Sequence, residues 1–173
     1  MITSALINLR EIKELYLYLA LTVPQSYFEG FEHFSFPNLW LIHLEVELTP
    51  PVLDFLDRHR LHIRDLSIPY DVDPQMSICT FPALELYSGA FELIPAFLPG
   101  RPVRSIISDI CATDEVENVL PALRMTTVPL EEISFTSETW NLRFFECLSR
   151  YAPDVLDIEF RSDDEDADGI EVS

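Results

Sequence analysis

Apolar and polar positions alternate most cleanly at residues 41–48, LIHLEVEL, where Leu44 and Val46 fall on one side of an extended strand and His43, Glu45 and Glu47 on the other. The spacing L-x-x-L-x-L, met here as Leu41, Leu44 and Val46, recurs along the chain. It is present at Ile12, Leu15, Leu17 and at Ile63, Leu66, Ile68. It is poor at Leu84, Tyr87, Gly89 and partial at Val103, Ile106, Ser108, and it returns at Leu130, Ile133, Phe135 and at Val155, Ile158, Phe160. Successive starts lie 29, 22, 21, 19, 27 and 25 residues apart, which matches the period of leucine-rich repeats. The pattern predicts an α/β leucine-rich-repeat solenoid of about seven irregular repeats, with a parallel sheet on the concave face and short helices and loops on the convex side.

The returns between strands carry helical signals. Thr49 is placed to cap a helix with Pro50 and Pro51 in its first turn and Val52, Leu53 and Leu56 on one side. Asp114 and Glu117 have capping-box spacing ahead of a stripe of Val116, Val119, Leu120 and Leu123, which Pro121 should end or kink. Trp140, Phe144, Leu148 and Tyr151 form a third stripe, closed by Ala152 and Pro153. FELIPAFLPG holds too much proline for a full helix and predicts one short turn. Residues 26–38, rich in Phe, and 69–82, without periodicity, read as loops.

Composition narrows the function classes. The chain has 173 residues, 48% of them apolar, enough for one continuous core. Thirty acids against 11 bases give a formal charge of −19, which argues against a nucleic-acid backbone as ligand and favours a basic partner. Cys79, Cys111 and Cys147 are widely separated and read as reduced thiols. MITSALINLREIKEL lacks the pattern of a secretory leader, and the longest apolar run, residues 15–24, is shorter than the roughly 20 residues a membrane span needs. A soluble cytoplasmic or nuclear protein is expected. From residue 162 the composition turns to SDDEDADGIEVS, with six acids and no base; residues 1–161 are expected to form the repeat domain and 162–173 a disordered acidic tail.

Several phrases, FPNLWLIHLEVEL, LDFLDRHR, FPALELYSGAFELIPAFLPGRPVRSI and RYAPDVLDIEF, follow the rhythm "proline-x-leucine, strand, short helix, arginine-histidine, strand". In them the chain resembles the leucine-rich-repeat region of F-box proteins of mushroom-forming fungi. The resemblance implies the substrate-recognition part of a ubiquitin ligase. It implies a Skp1-type adaptor as partner only where an F-box lies upstream, since no such module is recognisable before Ile12.

On a sheet of this kind the outward side chains stack in columns about 4.8 Å apart. They are Glu14, Tyr16, Tyr18; His43, Glu45, Glu47; Asp65, Ser67, Pro69; Leu86, Ser88, Ala90; Ser105, Ile107, Asp109; Glu132, Ser134, Thr136; and Asp157, Glu159, Arg161. The acids among them, with His43, Tyr16 and Tyr18 as anchors, predict a face that binds a Lys- or Arg-containing protein segment. The plainer alternative is a solvated face that serves solubility.

Catalytic readings are weaker. Glu45 and Glu47 stand two apart, as a carboxylate pair for glycoside hydrolysis would, but an exposed acidic strand accounts for them. His43, and His59 with His62, lack further ligands for a metal. With four glycines there is no phosphate-binding loop. Residues 164–169, DEDADG, begin like a calcium loop whose twelfth position would fall beyond Ser173. The expectation is a non-enzymatic scaffold without cofactor or metal. A β-helical polysaccharide-acting enzyme, or a repeat fragment without independent function, is the alternative.

Overall fold

The computed structural model describes residues 11–18, 35–46, 48–68, 80–109, 116–137 and 142–162. Seven short strands lie side by side in chain order, each parallel to the next. They are β1 (Glu14–Tyr18), β2 (Leu41–Glu45), β3 (Asp65–Ser67), β4 (Leu86–Ser88), β5 (Ser105–Asp109), β6 (Glu132–Ser137) and β7 (Asp157–Ser162). Parallel neighbours require crossover connections. Among the described residues, short helices occupy four of the six crossovers: α1 (Pro50–His59), α2 (Ile94–Phe97), α3 (Val116–Val119) and α4 (Leu142–Tyr151). The architecture is α/β, and β7 runs through Ser162, one residue into the segment assigned to the acidic tail.

Strand register aligns Leu15, Ile42, Leu66, Tyr87, Ile106, Ile133 and Ile158 in one column. From Ile42 to Ile133 every member is fully buried under the helices, each contributing about 1.5–3 kcal/mol by removal from water. At the last strand the burial stops: Ile158 is 41% and Phe160 38% exposed, against 0% for Ile133 and Phe135 beside them.

The second unit corrects the sequence frame by two residues. Leu41 does not enter the core; it pairs with Glu14 and Asp65 on the open face, while Leu39, Ile42 and Leu44 take the three apolar positions. Both frames satisfy L-x-x-L-x-L, because Leu39, Leu41, Ile42, Leu44 and Val46 are all apolar. Hydrogen bonds to the neighbours select one: Trp40 N–H donates to the Lys13 carbonyl at 2.9 Å, and Arg64 N–H to the Trp40 carbonyl at 2.8 Å.

The poorest units compensate each other. Tyr87 is wholly buried and its hydroxyl donates to the Ala90 carbonyl at 2.9 Å. A Cβ on Gly89 would stand 2.6 Å from Ile68 Cγ1 and 2.9 Å from the Tyr87 hydroxyl, so the large ring is accommodated by the missing side chain two residues on. Next to it the buried Ser108 hydroxyl donates to the Gly89 carbonyl at 2.7 Å, so the polar group in this otherwise apolar column is satisfied.

The returns follow their sequence signals with two differences. α1 starts after Thr49 with its prolines at the first positions, but the buried Thr49 Oγ1 makes no hydrogen bond. Pro51 has no N–H to offer there. FELIPAFLPG forms a 3₁₀ turn (Phe91–Leu93) that continues into α2, more helix than one turn, because Pro95 falls in the first turn of α2, where a proline is tolerated. α3 stops at Val119 and passes into a 3₁₀ stretch (Leu120–Met125), as Pro121 requires. α4 buries Phe144, Leu148 and also Cys147. Asp114, Trp140, Cys79, Cys111 and the segment 163–173 lie outside the described residues.

His59 ties α1 to the approach of β2. Its Nδ1–H donates to the Phe55 carbonyl at 2.8 Å, and its Nε2 accepts the Phe36 backbone N–H at 2.9 Å. Both bonds together require the neutral ring. Burial holds its pKa below the ordinary 6.5, and with both nitrogens engaged His59 is a structural latch.

Candidate partner-binding face

Pairing places the outward side chains in three columns. The first runs Glu14, Leu41, Asp65, Leu86, Ser105, Glu132, Asp157; the second Tyr16, His43, Ser67, Ser88, Ile107, Ser134, Glu159. A third joins Tyr18 to Glu45 at one end and Asp109, Thr136 and Arg161 at the other. The two-residue shift of β2 thus moves His43 into the column of Tyr16, and Glu45 into that of Tyr18. Glu47 lies outside the described residues.

The acids gather at the two ends of this face. Glu14, Glu45 and Asp65 flank the first strands, and Asp109, Glu132, Asp157 and Glu159 the last. Between them β4 presents Leu86 and Ser88 and β5 presents Ser105 and Ile107 ahead of Asp109, so the stretch of the first two columns over β4 and β5 is uncharged.

The two ends differ in kind. At the first, Tyr16 and Tyr18 stack at 6.4 Å between ring centroids, and His43 packs against them at 5.9 and 5.1 Å. The tyrosines remain 47% and 58% exposed. The His43 ring lies 3.3 Å from Glu45. Partial loss of water, followed by the charges of Glu14 and Asp65, raises the Tyr16 phenol above its ordinary 10.0. Burial likewise raises the half-buried Asp65 carboxyl, opposed by nearby His43 and reinforced by Glu14. At the other end Glu159 is held below the ordinary carboxylate value by hydrogen bonds from Arg161, at 2.8 Å, and Ser134, at 3.0 Å. Ser105 donates to Glu132 at 3.0 Å. Glu132 and Glu159 on the last strands are therefore already engaged, whereas the Asp65 carboxylate makes no hydrogen bond or ion pair among the described residues.

A fourth column is absent from the expectations above. The residue just before each strand, one after the first apolar position, gives Lys13, Trp40, Arg64, Glu85, Arg104, Glu131 and Leu156 along the rim, joined by backbone bonds of 2.7 to 3.2 Å. Arg64 pairs with Glu85 at 3.5 Å, and Arg104 with Glu131. Its signal was readable: a fixed offset from the repeat frame. Along this rim opens a groove of about 560 Å³ whose lining includes Pro37, Trp40, His62, Arg64, Asp65 and Glu85.

Among the described residues no group of three or more His, Cys, Asp or Glu is placed to hold a metal ion. No helix among them is long and apolar enough to cross a membrane. Comparison with protein-family models, with curated proteins and with solved structures finds no match.

Proposed function

We propose that the chain is a leucine-rich-repeat solenoid that binds a basic segment of another protein on its open face. The observation that carries this reading is the exposed Tyr16–His43–Tyr18 stack bordered by Glu14, Glu45 and Asp65. Aromatic faces attract cations and supply large contact area at small entropic cost, and the surrounding carboxylates steer a basic chain toward them. The ladder of parallel strands supports the solenoid, since each unit adds one rung to a continuous face. The role is recognition without catalysis, in the cytoplasm or nucleus. In keeping with the family resemblance, it is substrate choice in an F-box-type ubiquitin ligase, with a Skp1-type adaptor as partner only where an F-box lies upstream.

The test is an array of Lys- and Arg-rich peptides probed with the full chain at low and physiological salt. Glu45→Lys combined with Glu132→Lys should abolish capture, and added salt should weaken it. Capture of the same peptides by the reversed variant at unchanged affinity would sink the reading.

A further inference from the structure

The rim groove and the aromatic stack meet at one residue. Asp65 lines the groove and also acts electrostatically on Tyr16 and His43. Trp40, 37% exposed, is the aromatic residue of the groove lining, and its carbonyl accepts the N–H groups of both Arg64 and Asp65, at 2.8 and 3.0 Å. The indole and the carboxylate thus belong to neighbouring rungs and line the same groove. The groove's own arginine is already engaged: Arg64, with 61% of its side chain exposed, pairs with Glu85, which also lines the groove. Asp65 is left half-buried and unpaired among the described residues, which is costly for a carboxylate unless a cation arrives.

We infer that this groove is the subsite for a single arginine side chain of the partner, its guanidinium lying on the Trp40 indole and donating to the Asp65 carboxylate. Arginine fits where lysine does not. A guanidinium is planar, so it can stack on an aromatic face and present its N–H fork to a carboxylate at the same time, and it is more weakly hydrated than an ammonium. The rest of the partner chain then runs from the rim onto His43 and Tyr16. The raised pKa of the Asp65 carboxyl, which His43 only partly offsets, agrees with a half-buried acid that a cation would stabilise. This assignment rests on the basic-partner reading above and adds its specificity.

Hexa-arginine and hexa-lysine peptides of equal charge separate the two ideas, titrated calorimetrically into the full chain at one ionic strength. Hexa-arginine should bind about fivefold or more tightly than hexa-lysine. Trp40→Leu and Asp65→Asn should each bring it down to the hexa-lysine level, leaving hexa-lysine binding nearly unchanged. Equal binding of the two peptides, insensitive to both substitutions, would overturn the arginine subsite. The open-face reading would survive that result if Glu45→Lys with Glu132→Lys still abolished binding. Failure of both peptides to bind overturns both ideas. Should Trp40→Leu lose the native circular dichroism, Trp40 emission in a Trp140→Phe background decides: hexa-arginine should perturb it more than hexa-lysine, and an equal response counts against the subsite.

Discussion

The two faces of the same seven strands differ in what holds them. On the helix-covered side, Ile42, Leu66, Tyr87, Ile106 and Ile133 are sealed into one core with Phe55, Phe81, Phe91 and Phe97. On the open side, one residue along each strand, the same backbone carries acids, buried or half-buried serines, and stacked tyrosines in contact with water. Because side chains alternate strictly along a strand, stability and recognition are assigned to separate sets of residues, and changes in one set should leave the other nearly untouched.

The strongest probe of that separation is Phe97→Ala. Phe97 is 1% exposed and its ring stacks on Tyr87 at 4.9 Å and on Phe81 at 5.9 Å. Truncation should cost about 3–5 kcal/mol in urea unfolding, and the same change at the partly exposed Phe160 clearly less. A smaller cost, about 1–3 kcal/mol, is expected for Gly89→Ala, whose new methyl would crowd Ile68 and Tyr87. If thermal melting leaves that variant unchanged, the close packing at Tyr87 is not what stabilises the fourth unit.

Acid should act through the covered face as well. The folded His59 pKa lies below 6.5, so the unfolded chain binds its proton more readily. The latch contributes fully above about pH 6.5 and is lost as pH falls from there toward the folded pKa. Unfolding midpoints followed from pH 7.5 to 5 should fall with acid more in the parent chain than in His59→Gln. Parallel curves would remove His59 from the account. Least of all, Glu132→Lys should shift stability by no more than about 0.5 kcal/mol while weakening capture of basic peptides; a large stability loss would break the division between the faces.

Much of the fold was legible in particular residues. LPGRPVRSI is one example: Gly100 takes a φ of +74°, open to glycine, and the buried Arg101 donates to the Ala96 carbonyl at the end of α2 at 2.6 Å. Val103 and Ile106 then enter the core. Pro121 ended α3 for the steric reason the sequence offers. What escaped was relational. Two frames fit residues 39–46 equally, and only the hydrogen bonds to Lys13 and Arg64 choose between them. His59 reads in the sequence as a weak ligand beside His62, because its acceptor role depends on Phe36, distant in the chain.

By itself the sequence determined the strand period, the helix stops at proline and the acidity of the open face, all consequences of local sterics and of which side chains tolerate water. Tertiary structure alone decided the register of β2, the pairing of Gly89 with Tyr87 and Ser108, and the meeting of Trp40 with Asp65 in one groove. Those depend on which rungs become neighbours, and neighbourhood in a parallel sheet is fixed by backbone hydrogen bonds between segments many residues apart.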